Sequence, residues 1–370
     1  MSKKSLIFGL AGPALSQEER KLFHENPVWG FILFKRNIVD PEQLKGLVQD
    51  LKSLYSDEPL ILIDQEGGRV ARLRPPLIKN NYPTAESFGK MYDNNVEDAC
   101  DKVYKNYSSL MSDLKEYQIN SPCAPVADLR YSWADKVIGD RSFGSGVQKV
   151  VDLGSAAIRA IANQGGIAII KHIPGHGRAT CDSHYNLPVI DAPLNELQET
   201  DFEVFRQLAT SNKDIWAMTA HIIYKALDPN KPVTLSAEAI KFIREDIGFK
   251  GTLITDDICM HALHTRETGS TKDCTPYFLA KQLLSLLDKQ DIDNPRYNET
   301  LAKLITGKVI TDDANLSEQK QQLVGVLPQL KAIFTDSIAK VAVQAKEAGC
   351  DVVLHCSGDL QEMAAICEVC

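Results

Sequence analysis

Short apolar runs alternate with amphipathic segments along almost the whole chain, and this constrains the fold more than any other feature. Apolar runs stand at Ser5–Ala11, Gly30–Phe34, Pro59–Ile63, Ser121–Ala127, Ile167–Ile170, Ile215–Thr219, Thr252–Thr255 and Asp351–Leu354. Each is too short for a buried helix and too continuously apolar for a half-exposed strand, which is how parallel strands covered on both faces read. Helical segments lie between them. Ser16-Gln17-Glu18-Glu19 has the form of a capping box. Pro41 opens a helix whose apolar face is Leu44, Leu47, Val48, Leu51 and Leu54, and one long helical region is expected from Thr84 to Tyr117. Further helices are expected over Val147–Asn163, Leu194–Leu208, Ser236–Ile247 and Ser337–Ala348, with a last one starting at Leu360. A doubly wound sheet fits the alternation. Eight strands, with polar residues gathered at the ends of the third, fourth, fifth and seventh, favour a (β/α)8 barrel.

The alternation breaks once, between about Ala262 and Thr335. Helical stretches are expected there at Tyr277–Leu287, Asn298–Ile305 and Ser317–Leu327. A βα connection is normally a handful of residues. The expectation is therefore one domain over residues 1–370, with a helical insertion at 262–335 after strand seven, either decorative or a lid. The chain of 370 residues carries a formal charge of −8, which disfavours nucleic acid as a partner. No run approaches the length of a membrane span. The apolar run at Leu6–Leu10 is too short for a signal peptide and is followed at once by charge, so it reads as the first strand. Nine cysteines, an odd number, without an export signal fit reduced thiols in the cytoplasm.

The densest chemistry is Lys171-His172-Ile173-Pro174-Gly175-His176-Gly177-Arg178-Ala179-Thr180-Cys181-Asp182-Ser183-His184, directly after the fifth strand. Proline and glycine rule out a regular helix, so this is a polar loop at a strand end, where α/β proteins place their chemistry. His184 lies two residues after Asp182. A carboxylate in reach of an imidazole orients it and favours its protonated form, which suits general acid–base work; a solvated loop histidine is the plainer alternative. Asp256 ends the seventh strand beside Asp257. Only one of the two can face the mouth of a barrel, as a nucleophile or as a helix cap. Asp64, Arg141, Lys171 and His172 also stand near strand ends, where each suits a sugar ligand or a structural ion pair. His172, His176, Cys181, Asp182 and His184 have ligand chemistry, but the H-x3-H spacing needs a helix that proline and glycine forbid, so no metal is expected. No P-loop and no G-x-G-x-x-G after the first strand is present, so no cofactor is expected.

The central segment resembles the K-H-[FI]-P-G-H-G-x4-D-[ST]-H signature of family 3 glycoside hydrolases, in their β-N-acetylglucosaminidase branch. Asp64-Gln65-Glu66-Gly67-Gly68-Arg69, Gly139-Asp140-Arg141-Ser142-Phe143-Gly144 and Thr255-Asp256-Asp257 are similar to further motifs of that family, in the same order. The resemblance implies a (β/α)8 barrel acting as a retaining exo-β-N-acetylglucosaminidase through a covalent glycosyl-aspartate. Asp256 takes the nucleophile's place, and His184 with Asp182 the acid/base dyad on a mobile loop. Asp64, Arg141, Lys171 and His172 fall in the sugar pocket. Arg69 and Glu66 are expected to brace their turn and His176 its loop, with Asp128 and His221 as wall residues. For a bacterial cytoplasmic member the implied substrate is a GlcNAc-anhydromuramyl peptide of peptidoglycan recycling, and a monomer or weak dimer is expected. A histidine repels an anionic acceptor less than a carboxylate does, so phosphorolysis is a variant of this reading. A metal-dependent hydrolase and a non-catalytic amino-sugar-binding protein are the alternatives.

Overall fold

The computed structural model describes residues 3–184, 186–212, 214–264 and 335–370. The expected insertion, apart from its first few residues, lies outside the described residues. The barrel opens with β1 (Lys4–Gly9), α1 (Gln17–Glu25), β2 (Val28–Leu33), α2 (Pro41–Lys52) and β3 (Leu60–Ile63). Ser16 and Glu19 complete the capping box on α1, and Asp40 caps α2 with Pro41 in its first turn. A small hairpin follows, β4 (Gln65–Gly67) with β5 (Val70–Ala71), then α3 (Ala85–Tyr92), α4 (Val96–Lys115) and β6 (Ser121–Pro122). The long helical region is thus two helices, because Asn95 caps a new one by accepting from the Asp98 N–H.

The second half continues with α5 (Val147–Asn163), β7 (Ile169–Ile173), β8 (Val189–Ile190), α6 (Leu194–Glu199), α7 (Asp201–Ser211), β9 (Trp216–Thr219), β10 (Ile223–Tyr224), α8 (Ala237–Glu245) and β11 (Leu253–Asp257). After the undescribed segment come α9 (335–348), β12 (Val352–His355) and α10 (Leu360–Val369). The expected helix over 194–208 breaks at Thr200, whose φ of −125° and ψ of −97° are not helical. The Arg178 guanidinium reaches the break, donating to Thr200 Oγ1 at 3.1 Å and to Asp201 Oδ2 at 2.6 Å. The side strands β8 and β10 pair with each other, outside the main sheet.

The main sheet runs β6-β3-β2-β1-β12-β11-β9-β7, every pair parallel. The chain beyond β6 closes it against β7: Ile169 N–H donates to Ala124 O, Lys171 N–H to Pro125 O and Ala127 N–H to Lys171 O. The result is a (β/α)8 barrel. Residues that alternate along each strand divide between two cores. Ile7, Ile32, Leu62, Ile169, Met218, Ile254, Val352 and Leu354 from the strands fill the interior, with Cys123 just after β6 and Cys356 just after β12. Their neighbours, Leu6 and Phe8 among them, pack outward under the helices. The described cysteines are all free thiols, including Cys367 and Cys370 at C-x2-C spacing. No described helix is long and apolar enough to cross a membrane.

Candidate active site

The C-terminal ends of the barrel strands surround a cavity of about 210 Å³. Asp64, Glu66, Arg141, Lys171, His172, Asp182, His184 and Asp256 all line it, so the seven residues expected to be catalytic or sugar-binding meet in one place with Glu66, while Asp128 and His221, expected as wall residues, are not part of its lining. Arg69, Arg72, His176 and Met218 line it too.

One wall is a web of charge. Lys171, 3% exposed at its side chain, bonds Asp64 Oδ1 at 3.1 Å and Glu66 Oε1 at 2.7 Å. Arg141 takes Glu66 in a two-pronged pair, Nε to Oε2 and Nη2 to Oε1, both at 2.8 Å. Arg72 reaches Asp64 Oδ2 at 2.7 Å from the β4–β5 hairpin. Burial raises the carboxyls of Asp64 and Glu66, but the facing cations outweigh it and hold both below the usual carboxylate range. Burial opposes the charge on Lys171, and the two carboxylates overcome it, pushing the ammonium up. Glu66 was expected only to brace its turn; it sits between Arg141 and Lys171 instead. The bracing falls to Arg69, which bonds Asp140 at 2.8 Å and the carbonyls of Lys136, Val137 and Ile138.

The floor is built around Asp128, which is fully buried and takes three hydrogen bonds from His172 and His176. Its Oδ1 accepts from the N–H of His172 (3.1 Å) and of His176 (2.7 Å), and its Oδ2 pairs with His172 Nδ1 at 2.7 Å. Nε2 of His172 then faces Asp256 Oδ2 at 3.9 Å. Burial raises the Asp256 carboxyl. The charges of His172, His221 and His184 and the Asp257 N–H more than cancel this, and Asp256 ends below the usual range. Asp257 turns away: its Oδ1 accepts from the N–H of Cys259 and of Cys356, each at 3.0 Å. His221 lies behind this floor, bonded to Thr234 Oγ1 (2.7 Å) and Asp257 O (3.1 Å).

The loop after β7 closes the remaining side. Gly177 runs so close to Leu129 that a Cβ would stand 1.9 Å from its carbonyl oxygen, so glycine is required there. Asp182 Oδ1 accepts from the His184 N–H at 2.9 Å and meets His184 Nδ1 at 2.7 Å. Burial raises Asp182, yet its bonds to His184 prevail and lower it. The His184 side chain is 59% exposed, against 20% for Asp256. Ser183 between the pair bonds His176 Nε2 at 2.9 Å.

A parallel barrel with a half-buried, ionised carboxylate at the end of its seventh strand and a carboxylate–histidine pair over the same cavity has the form of a barrel glycoside hydrolase. Residues 5–276 match the glycosyl hydrolase family 3 N-terminal domain, and the chain belongs to that family. It is similar to the β-hexosaminidase of Thiobacillus denitrificans, 33% identical over 260 residues (70% of this chain, 71% of the relative). The β-hexosaminidase of Nitrosomonas eutropha is 31% identical over 345 residues, 91% of this chain and 97% of its own. Among solved structures, NagZ of Neisseria gonorrhoeae in complex with N-trifluoroacetyl-D-glucosamine matches with a TM-score of 0.72 at 26% identity, covering 99% of this chain and 85% of that one. The same protein in complex with a zinc ion matches with a TM-score of 0.71 at 25% identity, over 98% and 84% of the two chains. The chain is thus a glycoside hydrolase of the β-hexosaminidase type, acting on carbohydrate.

Proposed function

We propose that this β-hexosaminidase is a retaining exo-β-N-acetylglucosaminidase that works through a glycosyl-enzyme on Asp256. The observation that carries the reading is the pairing of an ionised carboxylate on the floor with an exposed Asp182–His184 dyad across one small cavity. Asp256 attacks C1 of the terminal sugar. His184 gives its Nε2 proton to the leaving oxygen while Asp182 holds Nδ1, which fixes the ring and favours its charged form. The neutral imidazole then takes a proton from water, and the hydroxide displaces Asp256 to release the sugar with its configuration retained. Asp64, Arg141, Lys171 and His172 bind the sugar's hydroxyl and acetamide groups. Asp64 offers carboxylate oxygens and Lys171 N–H donors already fixed by their mutual pairing, so little ordering remains to be done on binding.

The catalytic domain is taken as residues 1–370 with 262–335 inserted, and the substrate as a GlcNAc-anhydromuramyl peptide of cytoplasmic peptidoglycan recycling. The relatives' activity and the single-sugar size of the cavity support this substrate class. The test is hydrolysis of 4-nitrophenyl β-N-acetylglucosaminide by the wild type and by Asp256→Ala, with and without EDTA. Turnover that survives EDTA and vanishes in the variant is expected. Turnover lost to EDTA, or equal in the variant, refutes the reading.

A further inference from the structure

Outside the cavity, three side chains from separate parts of the sequence converge. Cys259 lies in the loop after β11, His355 ends β12, and Glu362 stands in the first turn of α10. One ligand atom of each, a thiol sulfur, a ring nitrogen and a carboxylate oxygen, lies within 4.8 Å of the others. His355 is fully buried, Glu362 is 8% exposed and Cys259 is half-buried. His355 Nε2 meets Glu362 Oε2 at 2.8 Å, and Ser357 Oγ bonds the same oxygen at 2.7 Å.

We propose that Cys259, His355 and Glu362 form a binding site for a zinc-type divalent cation, with water or Ser357 Oγ as the fourth ligand. Thiolate, imidazole and carboxylate together suit borderline-soft Zn²⁺, in four-coordinate geometry, rather than the hard cations Mg²⁺ and Ca²⁺, which take oxygen ligands. The ligands are held from outside as well. The Cys259 N–H donates to Asp257 Oδ1 at 3.0 Å. Asp359 Oδ1 accepts from the N–H groups of Gln361 (2.9 Å) and Glu362 (3.1 Å), and the Asp359 N–H donates to Ser357 Oγ at 3.0 Å. Such support fixes ligand orientation before an ion arrives. Among the described residues His355 Nε2 meets Glu362 Oε2 and Ser357 Oγ while Nδ1 has no hydrogen-bond partner, so an arriving cation would displace the ring's Nε2 proton and take its place between the same groups. Ion binding would tie the loop that follows Asp256 to β12 and α10, a structural clasp distinct from the sugar cavity.

The full-length chain, stripped with EDTA and dialysed, is titrated with Zn²⁺ alone, and bound metal is measured after gel filtration. One zinc per chain is expected in the wild type and in His184→Ala. Cys259→Ser and Glu362→Gln are each expected to lower the affinity tenfold or more, and either variant suffices if the other fails to fold. Co²⁺ in place of Zn²⁺ should give a thiolate-to-cobalt charge-transfer band that Cys259→Ser abolishes. The proposal is overturned if the wild type retains no zinc, if Cys259→Ser and Glu362→Gln retain it as tightly as the wild type, or if His184→Ala alone removes it, which would place the ion in the sugar cavity.

Discussion

The floor and the loop of the cavity carry the two halves of the proposed reaction and are built in opposite ways. On the floor, Asp256 is enclosed by histidines that are themselves tied down, His172 by the fully buried Asp128 and His221 by Thr234. Over it, His184 is mostly exposed and has a partner two residues away, Asp182. The difference follows from the two tasks. A nucleophile must stay ionised and stay put, so dense support with opposing charge serves it. An acid/base group must change its protonation twice in each cycle and let the leaving group out, which favours solvent access and few constraints.

Breaking the floor should cost most. Asp256→Ala should lower kcat on 4-nitrophenyl β-N-acetylglucosaminide by roughly 10⁴-fold or more, with the melting temperature nearly unchanged. Next to it, Lys171→Met leaves the buried Glu66 and the half-buried Asp64 without their shared cation. Such a loss typically costs about 3–5 kcal/mol of stability, readable as a lower urea midpoint. A change under 1 kcal/mol would show that Arg72 and Arg141 alone neutralise the web.

Breaking the loop should cost activity without stability, and only where the chemistry needs an acid. His184→Ala should lose about 10²–10⁴-fold on an alkyl glycoside and far less in the first step on an activated aryl glycoside. Asp182→Asn should lose less than His184→Ala on both substrates. Equal losses on the two substrates would mean that His184 positions the sugar and does not protonate the leaving oxygen.

Acid should separate the two regions by their folding energetics. Burial, together with the charge of His172, lowers His176 to about 4 from an ordinary 6.5. The unfolded chain therefore binds more protons than the folded one between those values, and stability rises with pH across that window. It is fully present above pH 6.5 and falls by roughly 3 kcal/mol as the pH drops through 4. Asp64, Glu66 and Asp128, lowered below the ordinary carboxylate range despite burial, lose their contributions only at more acid pH. Denaturant midpoints at pH 7 and pH 4 for the wild type and His176→Gln check this, and the variant should show the smaller change.

Much of this was legible in the residues because periodicity and strand ends are local signals. The eight apolar runs correspond to the eight barrel strands, and the polar residues after them meet at one mouth. Of the adjacent acids, Asp256 faces the cavity and Asp257 caps two backbone N–H groups. What escaped was set by tertiary contact. The break at Thr200 answers to Arg178, 22 residues earlier in the chain. Arg72 reaches Asp64 only because the pairing of Gln65 with Ala71 in the β4–β5 hairpin brings the two together, and nothing in its neighbours marks it. Glu66 looked like a turn residue beside two glycines; its role in the charge web depends on Arg141, 75 residues away. The cluster of Cys259, His355 and Glu362 has no spacing signature, since its members come from three separate elements.

Trapping the intermediate tests the division between floor and loop most directly. In His184→Ala with an activated N-acetylglucosaminide, glycosylation needs no acid while release still needs a base, so the enzyme should accumulate one covalently bound sugar. Peptide mapping by mass spectrometry should find one N-acetylhexosamine on the peptide that contains Asp256. No adduct under turnover, or an adduct on another residue, would contradict the assignment.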